Sequence, residues 1–170
     1  GETVNNNAPL RAGKGTLYEG GIRIPWFMQV PGIKKASKVD VPVTTNDILP
    51  TLLDLAGLDH PEFDGASLKP LLYKKNFNHG KSRSLVFHYP HYYSGTTPVS
   101  ALRKGGLKLL QYYTPEGLRF ELYDLLEDPS ESNNLAEDRE ATVKKMSSEL
   151  NISLWEMGAN FPKTNPIYDN

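Results

Sequence analysis

Four short apolar runs bounded by turn-forming residues, followed by one run with a helical period, decide most of what this chain can become. Leu85–Tyr89, Val99–Arg103, Leu107–Tyr113 and Arg119–Tyr123 read as strands, separated by Gly and Pro that favour turns. Lys104-Gly105-Gly106, between the second run and the third, is a hairpin signal. From about Arg139 to Met157 the spacing changes, and Val143, Met146, Leu150, Leu154 and Met157 fall along one helix face. A four-stranded antiparallel sheet covered by one helix buries that face. The tail Asn160–Asn170, with Pro162 and Pro166, reads as extended.

The N-terminal third has a different character. Gly13-Lys14-Gly15-Thr16-Leu17-Tyr18-Glu19-Gly20-Gly21-Ile22-Arg23-Ile24-Pro25 sets one lysine among glycines directly ahead of an apolar run. Glycine permits positive φ and close backbone approach, and the lysine supplies a compact charge with three donors. Two readings stand, an anion-handling loop and a solvated turn. A Walker loop is excluded, because Gly-Lys-Gly-Thr lacks the upstream glycine and a hydroxyl directly after the lysine. Ile22 to Val30 reads as a buried strand, with Pro25 at its start or edge. Thr44 and Thr45 ahead of Asp47, then Ile48, Leu49, Leu52, Leu53 and Ala56, predict a capped amphipathic helix that stops at Gly57. Pro50 lies in its first turn, where a missing N–H does little harm. Residues 58–82 read as a surface connection with one short helix around Ser67 to Leu72.

A series of motifs in fixed order then becomes informative. The lysine loop is followed by Pro31-Gly32, by Thr45-Asn46-Asp47-Ile48-Leu49-Pro50-Thr51-Leu52-Leu53-Asp54-Leu55-Ala56-Gly57 and by Asp64-Gly65-Ala66-Ser67-Leu68. Next come His88-Tyr89-Pro90-His91, Ala101-Leu102-Arg103-Lys104-Gly105-Gly106-Leu107-Lys108-Leu109, Glu121-Leu122-Tyr123-Asp124-Leu125 and Asp128-Pro129-Ser130-Glu131-Ser132-Asn133-Asn134-Leu135-Ala136. Together they resemble the C-terminal part of a formylglycine-dependent sulfatase of the arylsulfatase type, in the alkaline-phosphatase superfamily. The resemblance implies an α/β fragment: the end of a large mixed-sheet catalytic domain, then an α+β subdomain with a four-stranded antiparallel sheet and a C-terminal helix. The expected division is residues 1–57 for the end of the catalytic domain, 58–82 for the connection, 83–158 for the sheet and helix, and 159–170 for the extended tail.

The resemblance implies that the whole enzyme hydrolyses sulfate esters using calcium and a formylglycine nucleophile. The chain contains no cysteine and no Ser-x-Pro-x-Arg, and residues 1–7 lack the Asp-Asn pair expected shortly before the lysine loop. No metal ligand or cofactor is therefore expected in this chain. Its expected partners are a sulfate ester, such as a sulfated glycan, and an N-terminal part of the same enzyme. The isolated chain is expected to be inactive. By the same resemblance Lys14 contacts the sulfate, where a cation offsets charge moving onto the leaving oxygen, and the compartment is periplasmic, extracellular or lysosomal.

Three further residues are candidates for the substrate rim. His88 and His91 lie in the densest cluster of aromatic and imidazole side chains, with Tyr89, Tyr92 and Tyr93, and Arg103 could lean toward the pocket. Each has a plainer reading, as part of a sheet edge or sheet face, and zinc at His-x-x-His lacks a neighbouring Cys, Asp or Glu. Glu19 and Arg23, four apart, are expected to form an ion pair that locks the loop. Lys108 is expected to cover a sheet face or to pair with Glu121 or Asp124. Asp124, Glu127, Asp128 and Glu131 lack the regular spacing of a calcium loop and suit turn capping. Asn151-Ile152-Ser153 matches a glycosylation sequon inside the closing helix.

With 19 basic and 20 acidic residues dispersed along 170, no basic stripe predicts nucleic-acid or anionic-membrane binding. Two alternatives remain: a module that binds sulfated glycans, and a fragment of a related phosphodiesterase or phosphonate hydrolase.

Overall fold

The computed structural model describes residues 7–33, 35–73, 83–92 and 97–163. The chain divides into two compact units, one made of residues 1–25 and 84–170, the other of residues 26–83.

In the first unit four strands, β1 (Ser84–Tyr89), β2 (Val99–Lys104), β3 (Leu107–Thr114) and β4 (Gly117–Asp124), form an antiparallel sheet in sequence order. These are the four runs that the sequence predicts as strands, each longer by one to three residues. The register pairs Leu85 with Arg103, Arg103 with Lys108 and Lys108 with Tyr123. Because successive side chains point to opposite faces, the strands sort their apolar residues into two layers. On one face Leu102, Leu109 and Leu122 meet Val143, Met146, Leu150 and Leu154. These four belong to helix α4 (Glu140–Glu156), the predicted closing helix. Leu102, Leu109, Leu122 and Leu150 are wholly buried, each contributing about 1.5–3 kcal/mol in removal from water. The helix stops where Gly158 takes a φ of 64° and the Ala159 N–H returns to the Leu154 carbonyl at 2.9 Å.

The other face carries Val99, Ala101, Leu110, Tyr112, Tyr123 and Leu125, and against it pack Leu17, Tyr18, Phe87 and Tyr89. The glycine-rich N-terminal segment is therefore part of this unit. It contains a single helical turn, α1 (Glu19–Ile22).

The expected buried strand from Ile22 to Val30 does not form. After α1 residues 23–30 take part in no ladder pairing, and Ile24 and Phe27 are 72% and 89% exposed. Apolar content alone does not make a strand, which needs a hydrogen-bonding neighbour, and no described residue supplies one.

In the second unit a 3-10 turn (Thr45–Asp47) leads into α2 (Ile48–Ala56), ended by Gly57 at a φ of 69°, as the capping pattern predicts. Asp47, fully buried, organises this unit. Its carboxylate accepts the Thr44 and Ala66 N–H groups at 2.8 Å each and faces the Arg83 guanidinium at 2.8 Å. Thr51, also buried, accepts the Leu68 N–H at 2.9 Å, which ties α2 to the start of α3 (Lys69–Tyr73). An open apolar groove of about 690 Å³ runs past Phe27, Met28, Val41, Val43 and Leu72. Among the described residues no helix is long and apolar enough to cross a membrane. Residues 74–82 of the expected connection, Tyr93 of the aromatic cluster and residues 164–170 of the expected tail lie outside the described residues.

Candidate functional site

Lys14 occupies the turn Gly13–Thr16 and is exposed. The turn closes through the Thr16 N–H and hydroxyl, both donating to the Gly13 carbonyl at 3.2 and 2.9 Å, and Gly15 takes a φ of 93°. Behind it lies α1, in very close contact. A Cβ on Gly20 would stand 2.3 Å from the Arg11 carbonyl oxygen, and one on Gly21 would stand 2.2 Å from that of Thr16. Both glycines are required by proximity, independently of φ.

The loop is fastened to the sheet by buried charge. Glu19 is 3% exposed, and its carboxylate meets the fully buried Lys108 Nζ at 3.1 Å. The same ammonium lies 2.9 Å from the Glu131 carboxylate, also wholly buried. Glu131 in turn accepts the Glu19 N–H at 2.6 Å. To aim its side chain inward Glu131 adopts a φ of 53°, and Arg11 holds that backbone by donating to the Glu131 carbonyl at 2.8 Å. Burial pushes the Glu131 carboxyl above the usual range, while Lys108 and the Glu19 N–H work against it.

These contacts revise three sequence expectations. Glu131, expected to cap a turn, is instead a buried partner of Lys108. Arg23 does approach Glu19, at 3.7 Å, but it is half exposed, and the principal partner of Glu19 is Lys108. Lys108 pairs with neither Glu121 nor Asp124. Those acids have partners elsewhere, and Asp124 has Arg139 at 3.9 Å. A local signal for Lys108 did exist: it shares a sheet face with Leu110 and Tyr112, so a charge stands in a row of otherwise apolar inward positions.

Glu121 anchors the next layer of the loop. It accepts the hydroxyls of Tyr18 at 2.6 Å and Tyr123 at 2.8 Å and pairs with Arg119. Tyr112 donates to the Tyr18 oxygen at 2.9 Å. Burial would raise the Glu121 carboxyl, but the Tyr18, Arg119 and Tyr123 hydrogen bonds outweigh it and hold the group below its ordinary range. Burial and the Glu121 hydrogen bond push the Tyr18 and Tyr123 phenols well up, so both remain donors. The Arg11 guanidinium lies 4.1 Å above the Tyr18 ring and donates to the Tyr123 hydroxyl at 2.7 Å.

The four sequence candidates do not converge on one point. Arg103 shares the loop face with Lys108, and its Nε is buried without a hydrogen-bond partner. Burial lowers its pKa, against the field of Glu19 and with that of Arg23. His88 is on the opposite face, where its ring nitrogens contact the Ser100 hydroxyl at 2.7 Å and the Asn160 carbonyl at 2.9 Å. Phe161 and Tyr113 stack edge-on against the His88 ring, which therefore pins the segment after α4. His91 is exposed just beyond β1 and stacks edge-on with Tyr89.

The described residues contain no group of three or more His, Cys, Asp or Glu side chains placed to hold a metal ion. With no cysteine or Ser-x-Pro-x-Arg in the sequence, nothing fits a formylglycine centre, nor do the described residues fit a calcium site, and no chemical step is assigned through either. Asp128 caps its own turn, accepting from Ser130, Ser132 and the Asn133 N–H. Asn151 is engaged inside the fold, with its amide bonded to Gln111 and Ser147.

Residues 12–159 match the family described as N-sulphoglucosamine sulphohydrolase, C-terminal. A sulfatase of Formosa agariphila is 32% identical over 92% of this chain and 31% of its own length. The delta 4,5-hexuronate-2-O-sulfatase of Bacteroides thetaiotaomicron is 40% identical over 72% of this chain and 26% of its own. Among solved structures, Ps i-CgsB in complex with k-i-k-neocarrahexaose superposes with a TM-score of 0.72 at 28% identity, over 94% of this chain and 35% of that one. The chain thus spans about a third or less of the length of the curated relatives it matches.

Proposed function

The chain belongs to the sulfatase family, as its C-terminal region, and on that footing we propose that it supplies the sulfate-contacting lysine and part of the substrate rim of an enzyme that hydrolyses sulfate esters. The observation that carries this reading is the construction around Lys14. A free cation stands on a tight glycine turn whose base is clamped to the sheet by buried side chains. A merely solvated turn needs no such clamp.

A lysine so placed binds a sulfate oxygen and offsets negative charge as the S–O bond lengthens. Arg103, on the same sheet face as the clamp, and His91, beyond the end of β1, are assigned to the rim. His88 serves it indirectly, by pinning the segment after α4 from behind. Calcium and formylglycine belong to residues outside this chain's motifs, so the chain alone is inactive. The substrate class is a sulfated carbohydrate, in line with the hexuronate 2-O-sulfatase among its relatives.

The test is Lys14→Ala in the intact sulfatase polypeptide, assayed on an aryl sulfate and on a sulfated sugar. Loss of one charge-assisted contact to the reacting group lowers kcat/KM by about a hundredfold or more on both. Undiminished turnover would remove Lys14 from the site.

A further inference from the structure

We propose that Lys108 and Glu131 are positioning residues for Lys14: their buried ion cluster with Glu19, rather than the turn's own hydrogen bonds, fixes where the lysine ammonium stands. The inference rests on the reading that Lys14 contacts sulfate.

The loop cannot hold itself in place. A helix of four residues cannot hold itself together in water, since nucleating a turn fixes several dihedrals for a single hydrogen bond. Two of its four residues are glycine, the residue with most backbone freedom to lose. Its orientation must therefore come from outside, and the contacts show from where. The Glu131 carboxylate takes the first backbone N–H of α1, at Glu19, and Lys108 holds the Glu19 side chain from β3.

The link from α1 to Lys14 is short and stiff. Gly21 abuts the Thr16 and Gly13 carbonyl oxygens, the two ends of the lysine turn, and the Gly20 N–H donates to the Arg11 carbonyl at 3.0 Å on the segment leading in. With no side chain between α1 and the turn, a displacement of α1 passes to the lysine undamped. Arg23 cannot replace Lys108, because it is exposed and more distant from Glu19. Glu131 is aimed inward by a left-handed backbone conformation that a non-glycine residue holds only when its surroundings impose it.

The experiment is a double-mutant cycle in the intact enzyme, pairing Lys14→Ala with Lys108→Met and reading both kcat/KM on a sulfate ester and competitive inhibition by inorganic sulfate. If α1 slips, Lys108→Met alone lowers kcat/KM by about tenfold to a hundredfold and weakens sulfate inhibition in step. Lys14→Ala added on top then costs only what remains of its own loss, so the double variant falls no lower than Lys14→Ala alone, because the lysine is already out of place. Lys108→Arg, which keeps the charge, restores part of the loss. Glu131→Gln carries the same cycle should Lys108→Met not fold, since it removes one charge yet keeps an oxygen for the Glu19 N–H. Full additivity, or unchanged kinetics in a folded variant, overturns the positioning role. If instead Lys14→Ala alone has no effect, the reading beneath it is what fails.

Discussion

Lys108 and Glu19, 89 positions apart in the chain, hold their charged groups 3.1 Å apart with both side chains almost sealed from water. Buried charge is tolerable only when it is paired and hydrogen-bonded, and here one ammonium is shared by two carboxylates. Glu19→Ala is expected to lower stability by about 2 kcal/mol, the loss of one charge-assisted buried contact while Lys108 keeps Glu131. Arg23→Ala touches the same carboxylate from a half-exposed position and should cost less than about 1 kcal/mol. Urea melts of the two variants settle the comparison, and equal losses would mean that the surface pair does the locking.

Gly20→Ala is expected to be strongly damaging to the loop. The new methyl would have to occupy a position 2.3 Å from a backbone oxygen, so the loop must part from Arg11. A loss of about 2–3 kcal/mol follows, as for overpacking that cannot relax. At Gly57 the added methyl meets open space and only the positive φ resists it, for about 1 kcal/mol. Thermal denaturation of both variants checks the order.

Asp47 gives the second unit an acid limit. Burial raises its carboxyl, but the hydrogen bonds from Arg83, Thr44 and Ala66 outweigh burial and leave it below its ordinary value. A carboxylate with a lowered folded pKa adds stability above its unfolded pKa of about 3.8, and that stability disappears as pH falls through the lower folded value. Asp47→Ala should therefore unfold more readily at pH 7, by about 3 kcal/mol, and show a flatter stability profile below pH 4. Denaturant titrations at pH 7 and pH 3 would reveal a parallel offset if the carboxylate were not responsible.

Leu150→Ala should separate stability from binding. Leu150 is fully exposed to the sheet and hidden from water, on the face opposite the lysine loop. Truncation leaves a cavity worth about 3 kcal/mol, yet in the intact enzyme kcat/KM below the melting range should be unchanged. Trp155→Ala, at a position 79% exposed on the same helix, should do neither.

The sheet, its hairpin at Lys104-Gly105-Gly106 and α4 were legible because each is written in spacing between near neighbours. The helix from Ile48 to Ala56 was legible for the same reason, with Asp47 at one end and Gly57 at the other. Ile22 to Val30 misled because its residues are apolar and its pairing status is not a property of the segment. The partners of Lys108 were hidden because Glu19 and Glu131 approach it from distant parts of the chain, and no local pattern encodes that meeting. For His88 and Arg103 the register could have told: three positions apart along β2, Ser100 and Arg103 face opposite ways, and His88 pairs with Ser100.

The anchor of the lysine turn also has a timetable. Glu131 is 112 positions beyond Glu19, and a ribosome adding about 5–20 residues per second needs on the order of ten seconds to cover that distance. Through that interval the turn has been synthesised while the last of the groups that hold it has not. On the proposed positioning role, a messenger interrupted between the Lys14 and Glu131 codons yields a polypeptide that carries Lys14 without the second acidic clamp that seats it.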